Sequence, residues 1–107
     1  MPPPFPVIRA RIDRALAERD LDALRDVARE FPGVITLRDA LSVLLLMLDE
    51  ADGAFDAAAV RWIQRFTREC RGVTLAETHA AVEALGALPA ADASSTLAAL
   101  LKRHGVG

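Results

Sequence analysis

Residues 36–51, TLRDALSVLLLMLDEA, constrain this chain more than any other stretch. Thr36 and Asp39 have the spacing of a capping box, a hydroxyl followed three residues on by an acid, which together satisfy free N–H groups at a helix start. Behind them, Leu37, Ala40, Leu41 and the apolar run 43–48 cover roughly 200° of a helical wheel. Arg38, Ser42 and Asp49 occupy what remains, with Asp39 and Glu50 beside them. A helix this broadly apolar needs neighbours on at least two sides, so the sequence predicts an all-α fold with this helix at its centre.

A chain of 107 residues, 52 % of them apolar, makes one domain with one core. The net charge of −2 gives no global attraction to nucleic acid or anionic lipid. Cys70 is the only cysteine, which rules out an internal disulfide and an all-cysteine metal site. The start, MPPPFP, lacks the basic and apolar regions of a signal peptide, and the run 43–48 is far shorter than the ~20 residues of a membrane span. A cytoplasmic protein is expected. Lys102 is the only lysine beside many arginines and alanines, the usage of a GC-rich and bacterial-looking coding sequence.

Residues 1–6 read as a proline-rich arm, with a PxxP spacing at Pro3 and Pro6 and with Phe5 packing back on the body. Residues 7–105 read as the helical domain. A first helix over 7–19 carries Ile8, Ile12, Ala15 and Leu16 on one stripe, with Arg9–Asp13 and Arg14–Glu18 pairs at i,i+4. Asp20 caps a second helix over 21–31, stopped by Pro32-Gly33, and Asp52-Gly53 is the expected left-handed stop of the third. The fourth helix, 54–71, places Phe55, Ala59, Trp62, Ile63, Phe66 and Cys70 inward. Thr74 and Glu77 form a second capping box, opening a fifth helix whose expected inner face is Leu75, His79, Val82, Leu85 and Gly86 and which ends at Pro89. A sixth starts near Asp92 or Ser94 and closes on Lys102-Arg103-His104 with Gly105 as the stop.

A shift of 38 residues lays Thr36-Leu37 on Thr74-Leu75, Asp39 on Glu77, Leu44 on Val82, Met47 on Leu85 and Trp62-Ile63 on Leu100-Leu101. In period and pattern this resembles the HEAT and armadillo helical repeats, without a diagnostic motif. The resemblance implies six helices as three stacked antiparallel hairpins, either a short α-solenoid or a compact helical bundle.

Arg61, Gln64, Arg65, Arg68 and Arg71 form a ridge on the fourth helix, away from its aromatic face, with only Glu69 nearby to neutralise it. Such a ridge suits phosphates or the carboxylates of an acidic partner, unless Asp39, Asp49 or Glu50 of the third helix pair with it. Leu46, apolar on the polar side of the third helix, is either covered by another part of the chain or marks an association contact. His79 is expected in the core and His104 in a cap. Cys70 is expected to be an inert buried thiol, although Arg68 and Arg71 are neighbours that lower a thiol pKa. The acids around Gly53 fail the spacing of a calcium loop, 94–96 read as a helix start, and no phosphate loop, HExxH or paired-acid motif occurs. No metal, cofactor or small-molecule substrate is therefore expected. The expectation is a protein–protein interaction module, adaptor or scaffold, binding another protein or itself as a homodimer. An accessory protein gripping nucleic-acid phosphates through the arginine ridge is the alternative.

Overall fold

The computed structural model describes residues 5–106. They form six helices: α1 (Phe5–Ala17), α2 (Leu21–Glu30), α3 (Leu37–Asp49), α4 (Phe55–Glu69), α5 (Leu75–Ala87) and α6 (Ala91–Arg103), with no strand among the described residues. The architecture is a helical bundle in which α1 packs on α2, α3 on α4 and α5 on α6, while α3 also reaches α6.

The predicted starts are made by side chains. Asp20 accepts from Ala23 N, and the two capping boxes are complete: Thr36 with Asp39 and Thr74 with Glu77. α1 begins at Phe5 rather than at 7, because proline in a first turn gives up only an N–H that has no intrahelical acceptor. Phe5 is 60 % exposed and does not pack on the body. Residues 1–4, the rest of the proposed arm and half of the PxxP spacing, lie outside the described residues. α6 begins at Ala91, which puts 94–96 inside the helix. The left-handed residue after α3 is Ala51 (φ 53°) and not Gly53. There Asp52 N donates to Met47 O at 2.8 Å and Ala51 N to Leu48 O at 3.1 Å, the double bond pattern that closes a helix on a left-handed residue.

α3 divides two apolar clusters. On one side Leu37, Leu41, Leu44 and Met47 meet Trp62 and Phe66 of α4 and the inner faces of α5 and α6. Trp62 and Phe66 stack with ring centroids 5.4 Å apart, and Trp62 Nε1 donates to the Leu37 carbonyl at 2.9 Å. On the other side Leu46 packs with Ile8, Ile12 and Ala15 of α1 and Leu24 and Val27 of α2. The requirement for enclosure on two sides is met.

α5 is turned relative to the sequence expectation. Its buried residues are Glu77, Ala81, Ala84 and Leu85, while Leu75 is 87 % and Val82 50 % exposed. The alanines permit close approach of α6, and Glu77 is drawn inward by His104. Leu37 is buried and Leu75 is not, so the 38-residue correspondence does not extend to packing at that pair.

Candidate interaction surface

Carboxylates neutralise every arginine of α1, α2 and their connecting turn. Arg9 takes Asp13 and Asp39, Arg11 takes Glu30, Arg14 takes Glu18, Arg19 takes Asp49, Arg25 takes Asp52 and Arg29 takes Asp26. The α3 acids proposed as partners for the α4 ridge are therefore engaged elsewhere: Asp39 with α1, and Asp49 with the turn that follows it.

The five ridge residues divide into two groups. Arg65 is tied down, with Nε donating to Glu69 at 2.6 Å and a terminal nitrogen donating to the Ile35 carbonyl at 2.8 Å. It braces α4 against the loop before α3. Arg61, Gln64, Arg68 and Arg71 are exposed, and among the described residues the three arginines have no carboxylate partner. Arg68 also edges a hollow formed with Ala28, Gly33 and Ile35.

On another flank of α4, a shallow groove of about 430 Å³ runs between α4 and α5. Phe55, Ala59, Val60 and Ile63 line one wall, Val82, Leu85 and Gly86 the other, and Asp56 stands at one end. Val60 is 58 % exposed, and Leu75 projects where α5 begins. Sequence reasoning missed this groove because it assigned Leu75 and Val82 to the core. The Ala81/Ala84 pair, three apart and able to seat against another helix, was the available signal.

Leu46 is not an association contact: it is 5 % exposed and belongs to the cluster between α1, α2 and α3. The helix-wheel face that looked polar is covered by α1, whose Arg9 answers Asp39 on that face. His79 is not in the core, while His104 is the C-cap of α6 as expected and is nearly buried as well. His79 is 73 % exposed, 3.3 Å from Glu83, whereas His104 is 11 % exposed, with Nε2 3.0 Å from Glu77 Oε2 and its ring edge-on to Phe66. An ionised Glu77 only accepts, so His104 Nε2 carries the hydrogen. The Glu77 carboxyl is held down at about 2, first by the Thr74 backbone N–H and then by His104.

Cys70 is buried, and burial, followed by the charges of Glu69 and Glu77, raises its thiol pKa. The neighbouring arginines do not activate it. Among the described residues no three His, Cys, Asp or Glu side chains gather in a metal-binding group, and no helix is long and apolar enough to cross a membrane. A further hollow, of about 720 Å³, lies between α1, α3 and Pro89. Its ionic groups, Arg19 and Asp49, pair with each other, and its walls are mostly apolar, with Leu16, Leu45, Leu46 and Leu48.

Compared with known protein families, with curated proteins and with solved structures, the chain matches none.

Proposed function

We propose that this chain is a protein–protein interaction module without catalytic activity, and that its working surface is the α4–α5 face. One contrast carries the reading. Arginines on α1 and α2 are all neutralised within the chain, whereas Arg61, Arg68 and Arg71, on α4 and in the turn after it, are left to solvent, and the same helix exposes Val60. Exposed apolar surface and arginine are each enriched where proteins meet. The hairpins α3–α4 and α5–α6 carry that face between them. The free, buried Cys70 suits a reducing cytoplasm.

Photo-cross-linking in the native host, with a reactive side chain at Gln64, tests the proposal. A defined protein adduct that disappears when Val60 is changed to glutamate is expected. Absence of any adduct in the host, together with a monomer in light scattering, overturns it.

A second reading rests on the same unpaired arginines: binding of nucleic-acid phosphates. Affinity would then fall steeply with salt, and Arg68→Glu would weaken all sequences alike. The net charge of −2 weighs against it. No binding to DNA or RNA at low salt removes it.

A further inference from the structure

We infer that the partner of this surface is an acidic protein segment, its carboxylates seated on a stripe of α4 made by Arg61, Gln64 and Arg68. This rests on the interaction reading above and names the chemistry of the partner.

The stripe follows from spacing. Residues 61, 64 and 68 are three and four apart and share one side of α4, opposite the buried Trp62 and Phe66. All are exposed, and Arg61 and Arg68 stand about 10.5 Å apart along the axis at 1.5 Å per residue. Neither arginine has an acid within helical reach. Three and four residues to either side, Arg61 finds Ala57, Ala58, Gln64 and Arg65; Arg68 finds Gln64, Arg65, Arg71 and Gly72. The spacing instead sets like charges together, Arg61 with Arg65 and Arg65 with Arg68, which weakens a helix standing alone. Glu69 relieves Arg65 alone. A carboxylate brought from outside is what the other two lack.

Carboxylates are also how this chain joins its own helices. Arg9 of α1 forks onto Asp39 of α3, and Arg11 of α1 reaches Glu30 of α2. The α4 stripe offers the same donors with no complement among the described residues. Guanidinium also takes phosphate, but the surroundings favour a protein. A net charge of −2, with Asp56 and Glu69 on the same helix, repels the continuous charge of a nucleic acid. Gln64 sets an uncharged amide between the arginines, one that donates and accepts as a peptide group does. Val60, 58 % exposed and one turn before Gln64, adds apolar contact on the flank of the stripe, which a phosphate backbone does not use.

Fluorescence anisotropy on the full chain tests this. The probes are a labelled peptide of glutamate, alanine and leucine, the same peptide with glutamine for glutamate, and a single-stranded DNA of equal charge. At low salt the glutamate peptide should bind saturably, at least about tenfold tighter than the glutamine peptide, and tighter than the DNA. Arg61→Glu and Arg68→Glu should each weaken it several-fold and the double variant at least about tenfold, while Arg29→Glu, an equal change of net charge away from the stripe, stays within about twofold. Arg61→Ala and Arg68→Ala, each with a smaller loss, stand in if a reversal variant melts early. Failure of the glutamate peptide to bind, equal binding of the two peptides, indifference to the reversals, or tighter binding of the DNA overturns the inference. If it is overturned while the probe at Gln64 still gives a Val60-dependent protein adduct in the host, only the acidic partner fails and the module reading stands. If no peptide binds and no adduct forms, both fail.

Discussion

Arg9 and Asp39, thirty residues apart, meet fork to fork: one guanidinium nitrogen donates to Oδ2 at 2.6 Å and the other to Oδ1 at 2.9 Å. The same carboxylate accepts from Thr36 N at 3.4 Å as part of the α3 capping box. One side chain thus starts a helix and fastens α1 to it. Arg19 and Asp49 repeat the offset of thirty residues at the far end, which aligns α1 parallel to α3. Arg9→Ala leaves a nearly buried carboxylate without its cation and should cost about 1–3 kcal/mol. Asp39→Ala also removes the cap and should cost more. A double-mutant cycle by urea unfolding should show the two costs to be strongly non-additive.

Acid should weaken the fold through two depressed carboxyls. Burial pushes Asp39 up, but hydrogen bonds from Arg9 and Thr36 outweigh it and hold the group below its ordinary value. Glu77 lies at about 2 against an ordinary 4.5. A group depressed by folding stabilises fully above its unfolded pKa and loses that contribution as pH falls through the folded one. Stability should therefore decline from about pH 4.5 towards 2, and Glu77→Gln should flatten the decline while lowering stability at neutral pH. Urea midpoints at pH 7, 4 and 3 decide this.

Ala51 takes a left-handed conformation that costs an L-residue about 1 kcal/mol and glycine almost nothing. Ala51→Gly should therefore stabilise by about 0.5–1 kcal/mol, less the added freedom of the unfolded chain. A rise of a few degrees in Tm is the expected reading. No change, or a fall, would count against the turn described after α3.

The arginine ridge should separate by function of its members. Arg65→Ala strips the Ile35 carbonyl of its donor and should cost about 1 kcal/mol. Arg61→Ala and Arg68→Ala should stay within about 0.5 kcal/mol of the parent, as exposed sites do. Leu46→Ala should cost about 2–5 kcal/mol, the value for a core leucine. Thermal melts of the four variants suffice.

Local signals were legible where a short spacing carries its own geometry. Thr36–Asp39 and Thr74–Glu77 mark helix starts because the hydrogen-bonded ring closes within three residues, whatever packs nearby. The breadth of apolar surface on α3 likewise announced two neighbours. The facing of α5 was not legible. Its sequence, LAETHAAVEALGA, is apolar nearly all the way round, so orientation falls to contacts made elsewhere in the chain, chiefly Glu77 with His104. The sequence leaves Leu46 open between a covered residue and an association contact for a related reason: covering its face takes α1, and the spacing of Arg9 points only to its local partner Asp13. The groove between α4 and α5 depends on that facing of α5, for which the Ala81/Ala84 pair is the one local signal.

A single helical wall separates two greasy compartments, and it is common property of both. α1 and α2 hold on mainly through one face of that wall, so they can swing away while the four remaining helices keep their own seal. Amide exchange should accordingly run faster in α1 and α2 than around Trp62 and Phe66, and thinning the wall at Leu46 should widen that gap before it lowers the melting point of the rest.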